Sequence, residues 1–448
     1  MKKIFVSAGI AAIGAMSLHA DEYAPDVTAM DASKVWSVNG TLRGFYDDNY
    51  ATAPNGQKEG SAGFEFSPAL SVIVPLQQTE LGLRYTYGLY YYQQRENQGT
   101  DPIDQSHEAD LWIDHAFTER WEGKLEDTFT SQQNPQLSSG PTALPYRAGG
   151  NNIQNTATAT LHTEWTMLFS DDLGYQNTYV HYDQHGATTA SFPVPPATVP
   201  PGVVSGATYG GLLDQDGNSI YLNLNYQYLP DLSFLVGYQF QLVNYLGNEP
   251  IAPNPLNATQ FYYSNNRDQY SHTAYLGGQY TAIENLSLSV QAGFQYSDNF
   301  NLPSFDGQSS GSLQPYASIA LTYTYMQGDY AQIGFTQSES SSATANPNVQ
   351  NGSLTLYSEA SVLYATINHQ ITPSLLASIV GHYQYSSFVS GNDDGGGQNW
   401  YSVGLNLSYT FNPHLSAEAG YNFDYLTAAG PLPGYTRNQV YLGVTATY

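Results

Sequence analysis

Tyr441-Leu-Gly-Val-Thr-Ala-Thr-Tyr448 closes the chain, and its alternation decides how everything before it is read. Val440, Leu442, Val444, Ala446 and Tyr448 fall on one face of an extended strand; Gln439, Tyr441, Gly443, Thr445 and Thr447 fall on the other, because successive strand side chains point to opposite sides. Working back, Ile220, Leu222, Leu224, Tyr226 and Tyr228 oppose Tyr221, Asn223, Asn225 and Gln227. Leu232 to Leu242, Leu286 to Tyr296, Val403 to Phe411 and Leu415 to Tyr425 repeat the pattern. A soluble sandwich also alternates, so periodicity by itself does not decide. The apolar face here is aliphatic in the middle and aromatic towards the ends, which suits a lipid-facing band between aromatic girdles. The opposite face carries Ser, Thr, Asn, Gln, Gly and some charge, a poor packed core and a good wet lumen.

Turn rhythm supplies the architecture. Short connections occur at Pro75–Gln78, Thr118–Arg120, Ser170–Asp172, Leu229–Asp231, Ile283–Asn285, Gln327–Asp329, Thr372–Ser374 and Asn412–His414, each with turn-forming residues between apolar or aromatic ones. Between them run long Gly-, Pro-, Asn- and Ser-rich segments near Asn134–Gly150, Ala187–Leu213, Gly247–Asn266, Ser338–Gly352 and Ser390–Gln398. Tight turns at one rim and long loops at the other are the layout of an outer-membrane barrel. The spacing predicts an all-β, transmembrane, antiparallel up-and-down β-barrel of about eighteen strands, with sixteen or twenty as alternatives. An even count leaves both termini on the periplasmic side.

Met1-Lys2-Lys3 followed by the apolar or small stretch Ile4–Leu18 and Leu18-His19-Ala20 reads as a secretory signal peptide cut after Ala20. Residues 21–35 are then a short periplasmic segment and 36–448 the barrel. Later in the chain, no apolar run is long enough for a membrane helix. With no Cys among 448 residues, disulfide and thiolate chemistry are excluded. A net charge of −26, or −28 once Lys2 and Lys3 are removed, is the wrong sign for binding nucleic acid. It can attract divalent cations that bridge acidic surface sugars, or simply keep loops solvated.

The first third resembles the β-barrel porin-2 family. The residues concerned are Gly44-Phe-Tyr-Asp-Asp-Asn49, Phe66-Ser-Pro-Ala-Leu-Ser71 and Glu108-Ala-Asp-Leu-Trp-Ile-Asp-His-Ala-Phe-Thr-Glu-Arg-Trp121, continuing into Leu125-Glu-Asp-Thr-Phe129. The likeness covers Ser37 to Leu137; beyond it only the hairpin rhythm agrees. Gly443 with Tyr448 five residues later also resembles the terminal signal that closes bacterial outer-membrane barrels, with Ala446 departing from its commoner apolar or aromatic residue. These resemblances imply a Gram-negative outer membrane, its lipids and the barrel-assembly machinery as partners, and a pore. For some relatives they imply a link to exopolysaccharide export.

By alternation, Glu108, Asp110 and Asp114 point inward on one strand and Glu122, Lys124 and Glu126 on the next, side by side across the Thr118–Arg120 turn. With Arg43, Glu65 and Arg84 they form a lumenal charge patch that can select ions or steer solutes; otherwise it is a structural network lining water. His181-Tyr-Asp-Gln-His185 places two His and one Asp near the outer rim. Such groups build metal sites and proteases, but without a partner from elsewhere they read as a solvated loop margin. Gly307-Gln-Ser-Ser-Gly311 has the spacing of a nucleophile elbow without its strand-to-helix setting. Asp214-Gln-Asp-Gly-Asn218 and Asp393-Asp394 lack the full spacing and the distal Glu of a calcium loop. No catalytic, cofactor or metal residue is therefore assigned, and an enzyme is not expected.

Two functions fit. One is a passive channel for cations or small hydrophilic solutes, its mouth narrowed by outer loops such as Ala187–Leu213. The other is a polysaccharide export conduit in which inward Tyr90, Tyr221 and Tyr441 stack against sugars, although inward Tyr also fills volume. A loop-borne enzyme or adhesin is a distant third. Solute identity and oligomeric state are not encoded legibly.

Overall fold

Alternating strands of 12 to 16 residues need every edge paired once they sit in lipid, and a computed structural model shows how this chain achieves it. Residues 35–133, 150–191, 206–306, 309–326, 328–342, 344–427 and 434–448 are described. The signal-peptide reading, the segment up to residue 34 and the Asn134–Gly150 loop up to residue 149 lie outside them.

The first nine strands are β1 (Trp36–Asp47), β2 (Ser61–Pro75), β3 (Thr79–Tyr92), β4 (Ile103–Thr118), β5 (Trp121–Gln133), β6 (Asn151–Glu164), β7 (Phe169–Tyr182), β8 (Gln215–Leu229) and β9 (Leu232–Tyr245). A ribbon of β10 (Pro250–Pro253) and β11 (Phe261–Tyr263) lies in the next long loop. The wall then resumes with β12 (Gln269–Ile283), β13 (Leu286–Asn299), β14 (Gly311–Met326), β15 (Asp329–Ser341) and β16 (Tyr357–Thr372). It ends with β17 (Leu375–Val389), β18 (Gly397–Asn412), β19 (Leu415–Leu426) and β20 (Tyr435–Thr447). Each wall strand pairs antiparallel with its neighbours, and β20 returns to β1, giving a closed sheet of 18 strands. The terminal stretch does the closing: Arg43 faces Gly443, Leu42 faces Val444, and Val38 and Tyr448 exchange backbone hydrogen bonds of 3.1 and 2.8 Å.

Leu42, Leu276, Phe294 and Leu442 stand outward, the last 69% exposed, and a continuous apolar belt of this kind is stable only against lipid. No helix among the described residues is long and apolar enough to cross a membrane. Two expected boundaries move. The β6–β7 turn falls at residues 165–168, and Ser170–Asp172 belongs to β7, where Asp172 accepts a bond from Asn225 on β8 and faces His162 on β6. Ser338–Ser341 likewise belongs to β15.

β15 pairs with β14 only as far as Ala317–Gln337, yet stays paired with β16 to Ser341–Tyr357. The outer end of this hairpin leans into the barrel, across the inner face of β12 to β14. Gln295, inward on β13, accepts from Glu339 N–H at 3.2 Å and donates to Glu339 C=O at 2.9 Å, as a strand neighbour's backbone would. Ser312 donates to Glu339 at 2.8 Å, Tyr357 donates to Ser310 C=O at 2.7 Å, and Gln269 donates to Ser341.

The outer loops follow it inward. The helical turn α1 (Gln93–Asn97) caps the β3–β4 loop, and α2 (Tyr209–Leu213) precedes β8. Leu212 and Leu213 of α2 pack with Ile251, Tyr262, Leu354 and Leu356 from other outer loops and with Val180 and Tyr182 on the inner face of β7. Arg267, fully buried, donates to Leu212 C=O at 2.7 Å and to the Tyr245 hydroxyl at 2.9 Å, tying two of these loops together. Among the described residues, the largest buried apolar cluster thus lies over the mouth, where outer loops pack against the inner ends of wall strands.

Candidate functional site

Arg43 on β1 stands opposite Glu65 on β2 in one direction and Gly443 on β20 in the other, with Glu418 on β19 opposite Gly443 in turn. The guanidinium meets Glu65 at 2.8 Å and reaches over β20 to Glu418 at 2.9 Å. Gly443 is what opens that route, since a Cβ there would lie 2.7 Å from Glu418 Oε1. The Tyr441 ring supports Arg43 from one side, 4.7 Å from the guanidinium carbon. All three charged side chains are largely covered, at 16%, 7% and 6% exposure. Nearer the outer rim, Arg437 binds Asp47 at 2.7 Å and lies 3.5 Å from Asp424. In the β3–β4 connection Arg95 of α1 holds Asp104, at the start of β4, with two bonds of 2.7 Å. Arg43 and Arg437 therefore stitch the closing seam with buried ion pairs, Arg43 to Glu65 and Glu418 and Arg437 to Asp47 and Asp424.

The remaining patch residues sit on β3 to β5 in a different environment. Arg84 stands opposite Ser71 and Asp110, and Asp110 accepts from Thr128 at 2.9 Å. Glu80, Asp114 and Lys124 form one row across three strands, with Lys124 bonded to Glu126 at 2.6 Å. Glu108 faces Thr86 and Thr130, and Glu122 faces His162, itself 2.7 Å from Asp172. Lys124 and Glu126 are 45% and 49% exposed, in water although on the inner face. On the far side the inward residues Ser271, Gln295, Ser378, Ser402 and Asn406 are buried. The nine residues expected in one patch thus divide into a dry seam group, Arg43 with Glu65, and a wet group on β3 to β5.

Sequence reasoning missed Glu418, Asp47, Asp424, Arg437 and Trp112, whose indole donates to Glu80 at 3.3 Å. Alternation put each on the inner face, but the Arg43–Glu418 and Arg437–Asp47 partnerships depend on the two ends of the chain meeting, and the Trp112–Glu80 and Arg437–Asp424 contacts on the register of neighbouring strands. Of the inward tyrosines, Tyr221 lies over Gly174 and bonds Thr160 at 2.9 Å, while Tyr441 lies over Gly420 under Arg43. Tyr90 packs against the Phe45, Tyr50 and Tyr92 cluster. The first two are occupied as volume and support, not as open stacking platforms.

At the outer rim the segment His181–His185 does find a partner elsewhere, which the reading as a solvated loop margin did not foresee. His181 is the penultimate residue of β7, and the chain folds so that Asp214, at the other end of the longest outer loop, meets it. Asp214 Oδ2 lies 2.7 Å from His181 Nδ1 and 3.2 Å from His185 Nε2, and its Oδ1 accepts from Tyr182 N–H at 2.7 Å. Glu249, from the next outer loop, lies 3.0 Å from His185 Nδ1 and accepts from Thr208 Oγ1 at 2.6 Å and Gly186 N–H at 2.9 Å. Burial would push Glu249 up, but these donors outweigh it and hold its carboxyl below the usual range. For Asp214 burial wins over the Tyr182 and His181 bonds and raises the carboxyl. Asp183, counted with the histidines from sequence, turns away and accepts from Asn151 at 3.0 and 2.7 Å. Asp216 bonds Asn177 at 2.7 Å within the wall, so Asp214–Asn218 is no calcium loop. The Gly307–Gly311 motif lies partly outside the described residues.

Residues 329–448 match the family model described as "Putative beta-barrel porin 2". This is the opposite end of the chain from the Ser37–Leu137 resemblance. No curated protein matches the chain. Among solved structures, Acinetobacter baumannii OccAB3 is similar at 12% identity and a TM-score of 0.42, over 92% of this chain and 99% of that one. Pseudomonas aeruginosa OccK11 (OpdR) is similar at 14% identity and 0.42, over 92% and 96%. A mutant of the ferric enterobactin receptor PfeA from Pseudomonas aeruginosa is similar at 11% and 0.42, over 92% and 80%. With its closed wall and lipid-facing belt, the chain is a porin-like outer-membrane β-barrel.

Proposed function

We propose that this barrel is a passive channel whose water path follows the β3 to β7 side of the lumen and favours cations and small neutral hydrophilic solutes. The observation that carries it is the contrast between the two walls: Lys124 and Glu126 stay about half exposed, while the inner faces of β12, β13, β17 and β18 are covered. Along that wall Glu80, Glu108, Asp110, Asp114, Glu122 and Glu126 outnumber Arg84 and Lys124, and a net acidic lining concentrates cations. The leaning β15–β16 hairpin and the loop cluster narrow the outer mouth, which suits small solutes. Transport needs no cofactor or energy source in this reading. The export-conduit alternative has no observation in its favour, since Tyr221 and Tyr441 are already engaged.

Planar-bilayer conductance of the refolded barrel under a salt gradient tests the proposal. Stepwise conductance with a cation-selective reversal potential is expected. The Asp114→Lys, Glu126→Lys double variant should bring the cation-to-anion permeability ratio to about one or below. A folded barrel that never conducts would overturn the channel reading, and selectivity unchanged in the double variant would overturn the role of this wall.

A further inference from the structure

The outer-rim cluster has the construction of a metal site. His181, His185 and Asp214 each offer one ligand atom, and the three atoms lie within 4.8 Å of one another. A tetrahedral ion with bonds of about 2.0–2.1 Å needs its ligand atoms roughly 3.3 Å apart, within the range already spanned here. Two of the three ligands have their other polar atom held from behind. Glu249 sits on His185 Nδ1 and can hold a proton there, which would leave Nε2, on the Asp214 side, as the ligand atom for an ion. Tyr182 N–H holds Asp214 Oδ1, leaving Oδ2 turned to the two imidazoles. The backbone is shaped for the same end: Gly210 packs so closely that a Cβ would lie 2.4 Å from His185 Cε1. Asp214 is 2% exposed while both imidazoles are 39% exposed, so the cluster is dry on the protein side and open on the other.

We propose that His181 Nδ1, His185 Nε2 and Asp214 Oδ2 bind a divalent first-row transition ion, Zn2+ foremost, with Glu249 as the positioning carboxylate behind His185. Two imidazoles and one carboxylate favour Zn2+, Cu2+ or Ni2+ over Ca2+ and Mg2+, which take oxygen ligands. The open side leaves the fourth position to water. Both imidazole ligand atoms must be deprotonated to bind, so a proton held between His181 Nδ1 and Asp214 would leave to solvent. Because His181 and His185 precede the longest outer loop and Asp214 ends it, the ion closes that loop at its base.

The test is Zn2+ titration of the untagged refolded barrel in detergent micelles, in competition with a chromophoric chelator. Folding of every variant is checked by the mobility shift between unheated and heated samples. One Zn2+ per chain is expected, unaffected by millimolar Ca2+ or Mg2+, and lost in His181→Ala, His185→Ala. Glu249→Gln, which keeps all three ligands, should weaken binding at least tenfold. Bound Co2+ should give the visible absorption of a four-coordinate site, absent in the double-His variant. No stoichiometric binding, stoichiometric binding retained without the two histidines, or displacement of Zn2+ by Ca2+ would overturn the assignment. All readouts are independent of conductance, so a barrel that binds Zn2+ but does not conduct would refute the channel alone.

Discussion

Arg43 shows how one side chain serves the wall of a barrel. It neutralises two carboxylates from strands on opposite sides of the closing seam, Glu65 and Glu418, and rests on Tyr441. Removing it leaves two mostly covered carboxylates facing each other. Arg43→Gln should therefore destabilise the barrel by about 3 kcal/mol, the low end for a broken buried pair, because water in the lumen can reach the leftover acids. Glu418→Gln, which leaves Arg43 paired with Glu65, should cost less. Urea unfolding in lipid vesicles checks the ranking, and equal losses in the two variants would contradict it.

Elements are fitted together by aromatic rings laid across neighbouring backbones. Tyr221 on β8 covers Gly174 on β7, where a Cβ would lie 2.0 Å from the ring. Gly174→Ala should destabilise by about 1–3 kcal/mol through overpacking. Adding Tyr221→Ala should recover part of that loss, because the clash and the ring disappear together. Losses that simply add would show that the two residues do not interact. A second element-level device is the β15–β16 hairpin, held inward by the paired bonds of Gln295 to the Glu339 backbone. Gln295→Ala removes both and should raise single-channel conductance measurably while leaving the rest of the wall intact. An unchanged conductance would mean that the hairpin does not limit flow.

At the scale of the whole molecule, the described loops place an apolar cap over a polar cylinder. Deleting residues 346–353 takes Leu354 and Leu356 out of register with Ile251 and Tyr262, and should widen the mouth without opening the barrel, since every wall strand keeps both neighbours. Larger conductance with unchanged thermal unfolding is the expected result. Cation preference should fade as salt rises from 0.1 M to 1 M, where the screening length falls from about 10 Å to about 3 Å. A salt-independent ratio would point to a steric filter instead of the acidic wall.

The sequence determined the architecture, because a two-residue period, a membrane's intolerance of unpaired backbone and the turn rhythm together call for a closed antiparallel barrel. Strand number to within a pair, the terminal strand of Gly443 to Tyr448 and the inner face of Arg43, Glu65, Asp114 and Glu126 were legible locally. What alternation cannot express is distance around the ring. Glu418 and Arg43 are 375 residues apart, and Arg437 and Asp47 are 390. Their meeting exists only once β20 pairs with β1. The same limit hid the rim cluster: His181 and His185 were visible as a pair, but Asp214 and Glu249 join them only because two long loops fold onto each other. Tertiary structure also decided where the outer end of β15 goes, since nothing in its alternation says that it leaves β14. Periodicity fixes which side of a strand a residue faces; what stands opposite is fixed by closure and loop packing.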